Sequence, residues 1–205
     1  MARVLVIATD VVGERMAGPG IRAWELSRAL AGEHEVTLAA AAPLPAARAG
    51  FQVIEAARGS RRRAAAEADV LVAQPVALSL FPALLESAAA RVVDLYDPAL
   101  IEGLELHADE SQAERLAAQQ ADLAALATAA RAGDLFLCAS ERQRHYWLGV
   151  LTAAGRVNPL TYAADPRLEN LVTVVPFGIP DQAPRSGPLR LRGQLEGIGE
   201  GDRVV

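Results

Sequence analysis

The sequence predicts an α/β domain built on a doubly wound, mostly parallel sheet, and three observations lead there. Apolar runs of strand length alternate with stretches of helical periodicity, as in "RVLVIAT" (3–9), "ADVLVAQ" (68–74) and "DLFLCAS" (134–140). The runs are continuously apolar rather than alternating, which fits strands buried on both faces. Strands separated by helices are joined by right-handed crossovers, so helices cover both sides of the sheet.

The elements follow in order. "RVLVIAT" is the first strand. Residues 20–32 then carry Gly20, Ala23, Leu26, Ser27 and Leu30 on one helical face, with Arg22, Glu25 and Arg28 outside. "HEVTLAAA" (34–41) and "FQVIEA" (51–56) are the second and third strands. A short helix from Ser60 leads to the fourth strand, 68–74, and a further helix over 77–89 precedes "RVVDLYD" (91–97). A long helix from Glu110 to Arg131 shows Leu116, Leu123, Ala127 and Ala130 along a stripe, with Gly133 placed to close it. "DLFLCAS" is the sixth strand, a helix runs from Glu141 to about Ala154, and "LVTVVPFG" (171–178) is the last strand. These elements make a single Rossmann-like domain over residues 1–182.

Past Gly178 the composition changes. "IPDQAPRSGPLRLRGQLEGIGEGDRVV" has three prolines and no sustained period, which is linker chemistry over 183–201. The final "GDRVV" reads as the opening strand of a further domain at 202–205, so the chain is expected to be a piece of a longer protein.

Composition narrows the function classes. A chain of 205 residues can bury an ordinary core, and 52% apolar residues exclude a disordered protein. No run of eighteen apolar residues occurs, so no transmembrane helix is expected. Asp10 interrupts the apolar start and no cleavage-like site follows, which favours a first strand over a signal peptide. A single cysteine, Cys138, rules out an internal disulfide and a cysteine metal cluster, and the expected compartment is the cytoplasm. The net charge of −5 argues against a nucleic-acid partner. All 20 basic residues are arginine, which with the abundant Ala and Gly suggests a GC-rich genome. The basic cluster Arg61-Arg62-Arg63 reads as a solvated first helical turn or as a phosphate or lipid contact.

In open parallel sheets, ligands bind outside the carboxyl ends of the strands. That rule selects Thr9 and Asp10, Gln74, Asp94 to Asp97, Ser140 to Arg142, and Phe177 with Gly178. The first connection, "TDVVGERMAGPGIRAWEL", places Gly13, Gly18 and Gly20 where backbone and a helix amino end could approach an anion. Its spacing is not G-x-G-x-x-G and no acid ends the second strand, so NAD is disfavoured; a loop with glycines for turns is the other reading. In "DLYDP", Asp94 and Asp97 are three apart, and strand alternation is expected to point them to opposite faces rather than into a dyad. Asp97-Pro98 also suits a turn. Ser140 and Gln143 form an S-x-x-Q capping box that explains both residues. Arg142 reads as a phosphate contact or a solvated side chain. The three histidines lack metal-ligand spacing, and neither a G-x-S-x-G elbow nor a P-loop occurs.

With these residues in view, the chain resembles the amino-terminal, acceptor-side domain of a family 4 glycosyltransferase of GT-B architecture. The resemblance covers nearly all of 1–182 and rests on four ordered stretches: "GIRAWELSRALA" after the glycine loop, "VVDLYDP", "DLFLCASERQR" and "VVPFGIPD". It implies transfer of a sugar from a nucleotide diphosphate sugar to an acceptor hydroxyl, with retention of configuration, no cofactor and no obligatory metal. Gly18 to Gly20 correspond to the loop facing the interdomain cleft. Tyr96 stands where the family has a sugar-contacting His, Asp97 where it has Asp, and Phe177 where Asn is common. The residues carried over are Tyr96 and Asp97 as catalytic, and Gly18, Gly20, Ser140 and Gly178 as substrate-binding. Implied partners are the nucleotide sugar and a carbohydrate or lipid-linked acceptor, with peripheral association at the inner membrane face. The donor grip falls to a carboxy-terminal domain, so residues 1–205 alone are expected to be inactive.

Other readings stand beside this one: a self-sufficient Rossmann-like module binding a nucleotide or anionic metabolite, a GT-B nucleotide-sugar epimerase, and an interaction domain that kept the fold without activity.

Overall fold

A computed structural model describes residues 1–13, 15–41, 50–179, 183, 196–199 and 201–203. Among the described residues seven strands form one sheet: β1 (Arg3–Ile7), β2 (Glu35–Ala40), β3 (Gln52–Glu55), β4 (Val70–Ala73), β5 (Ala90–Asp94), β6 (Leu135–Cys138) and β7 (Val172–Val174). Their order is β3-β2-β1-β4-β5-β6-β7 and every neighbouring pair is parallel. The fold is therefore α/β, Rossmann-like and doubly wound, as the apolar pattern predicts.

Alternation along β1 explains why its run is unbroken. Val4 and Val6 face one core with Val36, Leu38 and Ala23, whereas Leu5 and Ile7 face the other with Leu71, Phe136 and Trp147. A strand buried on both faces has no polar side to show. β1 pairs with both β2 and β4, so the winding reverses between β1 and β4. The crevice at the carboxyl ends of those two strands is the switch point where such sheets bind ligands.

The helices are α1 (Gly18–Leu30), α2 (Arg58–Glu67), α3 (Pro75–Leu80), α4 (Ala99–Leu106), α5 (Gln112–Ala132), α6 (Glu141–Ala153) and α7 (Pro159–Ala164). Several differ from expectation. The helix expected over 77–89 is only α3 plus a 3₁₀ turn at Pro82–Leu84, because Pro82 has no N–H to donate and its ring obstructs the preceding turn. α4 and α7 are too short to carry a clear period; α7 starts from an Asn158 cap that accepts from Leu160 N and Thr161 N. α5 opens with a capping box between Ser111 and Glu114. Its buried residues are Ala125, Leu126, Ala129 and Ala130, while Leu116 and Leu123 are 52% and 49% exposed. The stripe fails because the amino half of α5 lies beside α4, itself without a buried residue.

Gly133 does close α5, but in an extended conformation (φ −72°, ψ 140°) rather than a left-handed one. Glycine is needed for closeness: a Cβ there would lie 2.7 Å from Val93 and 2.8 Å from Phe136. β7 is shorter than expected, and the chain leaves the sheet after Val175 N donates to Cys138 O at 2.7 Å. Of the expected linker 183–201 and strand opening 202–205, all but 183, 196–199 and 201–203 lie outside the described residues. Among the described residues no helix is long and apolar enough to cross a membrane.

Candidate functional site

The switch point is bridged by side chains from its two strands. Thr9, just past β1, donates through Oγ1 to Oε1 of Gln74, just past β4, at 2.8 Å. The next strand, β5, delivers the charged part of the site. Its ladder ends at Asp94, and Leu95 adds one last bond to Leu137 O. Tyr96 and Asp97 therefore lie beyond the strand, and alternation does not carry to them. Contrary to the sequence expectation of opposite faces, Asp94 and Asp97 line one cavity.

The two carboxylates nevertheless do different work. Asp94 is held by Arg22 of α1, whose Nε donates to Oδ2 at 2.6 Å and whose Nη2 donates to Oδ1 at 2.9 Å. Both side chains are nearly sealed, at 3% and 6% exposure, so Arg22 is not on the outer helix face. The third donor, Nη1, reaches Val175 O at 3.0 Å. The guanidinium also lies 5.0 Å from the Tyr96 ring centroid and 5.2 Å from that of Phe177, and these two rings meet edge-on. Burial pushes the Asp94 carboxyl up, while the Arg22 hydrogen bonds and charge pull it back. One arginine thus ties α1, the end of β5 and the end of β7 together.

Tyr96 is half-buried and faces the start of α1: a Cβ on Gly18 would sit 3.8 Å from its hydroxyl. Burial, then the Asp97 and Asp94 charges, push the phenol up to about 12, with a Gln74 hydrogen bond acting the other way. The hydroxyl is therefore a neutral donor at physiological pH. Its backbone is held by Gln143 of α6, whose Nε2 donates to Tyr96 O at 2.7 Å and whose Oε1 accepts from Ala139 N at 2.7 Å. Only half of the expected capping box forms. Ser140 Oγ accepts from Gln143 N at 3.2 Å, but the Gln143 side chain goes to Ala139 and Tyr96 instead of returning to Ser140.

Among the described residues Asp97 is the most perturbed acid. Its carboxyl is pushed up to about 7, first by burial, then by a hydrogen bond with Glu102 and repulsion from Glu102, Asp122 and Asp94. A carboxyl in that range can exchange a proton near neutrality. The adjoining cavity, about 190 Å³, is lined by Thr9, Gln74, Asp97, Asp122, Leu126 and Trp147 among others. Asp97 Oδ1 and Trp147 Nε1 are both buried without a protein partner.

The carried-over residues divide in their placement. Gly18, Tyr96 and Asp97 gather at the switch point, and Ser140 joins them through Gln143. Gly20 is buried two residues further along α1, where a Cβ would clash with Val11 O; its bareness lets the loop lie on α1. Gly178 is exposed and lines a different groove with Ile21, Arg22 and Phe177. Arg142 is exposed on the first turn of α6. In the Arg61–Arg63 cluster, Arg61 stacks 3.4 Å over Phe81, while Arg62 and Arg63 are solvated, in exposed ion pairs with Glu86 and Glu67. A larger groove of about 370 Å³, between Arg3, Glu35, Gln52 and Glu67, lies by the amino ends of the strands, away from the switch-point crevice.

Sequence reasoning put Arg22 on the outer helix face and read Gln143 only as a cap, and it passed over Glu102, Asp122 and Trp147 as site residues. Only Arg22 left a signal, since a carboxylate inside the apolar run "VVDL" demands a buried partner. No protein-family model matches the chain, and no curated protein matches it either.

Proposed function

We propose that the chain is the acceptor-side domain of a GT-B glycosyltransferase that moves a sugar from a nucleotide diphosphate sugar to an acceptor hydroxyl. The observation that carries this reading is convergence. Four stretches far apart in sequence, 20–31, 92–98, 134–144 and 174–179, contribute to one side of the switch point. Arg22 from the first binds Asp94 from the second and Val175 from the fourth, and Gln143 from the third holds Tyr96.

The electrostatics favour an acceptor role over a nucleotide grip. Arg22 is committed to Asp94, and the cavity wall carries carboxyls, so a diphosphate is repelled there. In this reading Tyr96 donates a hydrogen bond to a sugar oxygen, Asp97 orients the acceptor hydroxyl and exchanges its proton, and a second domain holds the donor. A carbohydrate or lipid-linked acceptor at the inner membrane face fits the same reading.

Calorimetry with uridine, guanosine and adenosine diphosphates tests it on the 205-residue protein, where weak or absent binding is expected. Tight binding would overturn the reading in favour of a self-sufficient nucleotide module. Release of nucleoside diphosphate by the gene's full product, given nucleotide sugars and hydroxylated acceptors, is the positive arm.

A further inference from the structure

The cavity beside Asp97 carries more negative charge than its wall balances. Asp94, Asp97 and Asp122 line it, and Glu102 hydrogen-bonds to Asp97. Arg22 neutralises Asp94 alone, and among the described residues no Arg, Lys or His lines the cavity. Among the described acids no group could hold a metal ion; below neutrality a proton on Asp97 offsets part of the charge, and above it a cationic ligand can. Two orphan atoms point to the ligand's other features. Trp147 is 2% exposed with its Nε1 donor unused, and Asp97 Oδ1 is an unused acceptor. Buried polar atoms without partners are rare unless something fills them. The volume, about 190 Å³, suits one sugar-sized ring rather than a nucleotide. Val76, Leu100 and Leu126 supply an apolar wall for its carbons.

We propose that this cavity binds a small hydroxylated primary amine, an amino sugar or amino polyol. Its ammonium sits on the Asp97 and Asp122 carboxylates and a hydroxyl oxygen accepts from Trp147 Nε1. The charged groups around Asp97 are Glu102 of α4, Asp122 of α5, and Asp94 of β5 with its Arg22 from α1; the Tyr96 phenol is neutral. An arriving ammonium displaces the proton that Asp97 holds near neutrality, so binding strengthens as pH rises. That the amine belongs to the acceptor rests on the transferase reading; the binding itself does not.

The test is titration of the 205-residue protein with 6-amino-6-deoxyglucose, its N-acetyl derivative and glucose, at about pH 6 and about pH 8. At the higher pH the amine is expected to bind about tenfold more tightly than either neutral sugar. Asp122→Asn should remove most of that preference, and Trp147→Phe should weaken all three sugars alike. Equal affinities at the higher pH, or a preference that survives Asp122→Asn and also Asp97→Asn, would overturn the proposal. Preferential amine binding without any transfer by the gene's full product would leave the cavity assigned and sink the transferase reading. Turnover of neutral acceptors without amine preference would do the reverse.

Discussion

Arg22 and Asp94, 72 residues apart, form a two-pronged ion pair sealed beneath the edge-on rings of Tyr96 and Phe177. A buried pair of this kind gains little over an apolar substitute, but removing one partner strands a charge. Arg22→Met or Asp94→Leu alone should cost about 3–5 kcal/mol, and the double substitution should cost less than either. Urea unfolding of the three variants checks this; an additive double mutant would mean the pair is not coupled.

The glycines of the first connection should separate on stability. Gly20→Ala forces a Cβ into a clash with Val11 O, where backbone must move, and about 1–3 kcal/mol should be lost. At Gly18 the nearest obstacle is the Tyr96 hydroxyl at 3.8 Å, ordinary contact distance. Gly18→Ala should therefore leave unfolding midpoints within about 0.5 kcal/mol of the parent, or raise them slightly. Equal losses at both positions would contradict the placement of the loop.

How far the sequence reaches is visible in these two glycines and the arginine between them. Strand positions and the parallel sheet were legible because burial on both faces leaves an unbroken apolar run, as in Val4 to Ile7. Gly20 was legible as special, though not as a packing contact with Val11. Arg22 was misplaced to the outer face because helical periodicity sorts polar from apolar and cannot represent a buried charge matched to an acid 72 residues away. Glu102, Asp122 and Trp147 meet Asp97 only through the packing of α4, α5 and α6, and nothing in their local spacing announces it.

Asp97 should make stability fall with rising pH. Its folded carboxyl is raised to about 7, so between the unfolded value near 3.8 and that point the folded state binds the extra proton. The contribution is complete below the unfolded value and is lost as pH climbs through neutrality. Solvent reaches this half-buried group, so the swing is on the order of 1 kcal/mol. Asp97→Asn should flatten the pH dependence of unfolding between about pH 4 and about pH 7 and stabilise the protein above it. An unchanged slope would mean that Asp97 ionises normally.

Tyr96 separates structure from function most cleanly. Its ring packs on Phe177 and Arg22 and its carbonyl is held by Gln143, and none of these contacts uses the hydroxyl. Tyr96→Phe keeps all of them and gives up only the hydroxyl's hydrogen bond with Gln74, so stability should change by no more than about 1 kcal/mol. Within the proposed transferase, the hydroxyl donates to a sugar oxygen, and its loss should lower kcat/KM about tenfold. Because the phenol titrates only near 12, that deficit should be constant from about pH 6 to about pH 9. Tyr96→Ala, by contrast, removes the ring that covers the Arg22–Asp94 pair and should weaken folding and turnover together. If Tyr96→Phe is fully active, the hydroxyl is idle and the residue serves only to roof the ion pair. A Tyr96→Phe deficit that appears only above pH 8 would instead mean that the phenol ionises in the reaction, against the burial that holds it neutral.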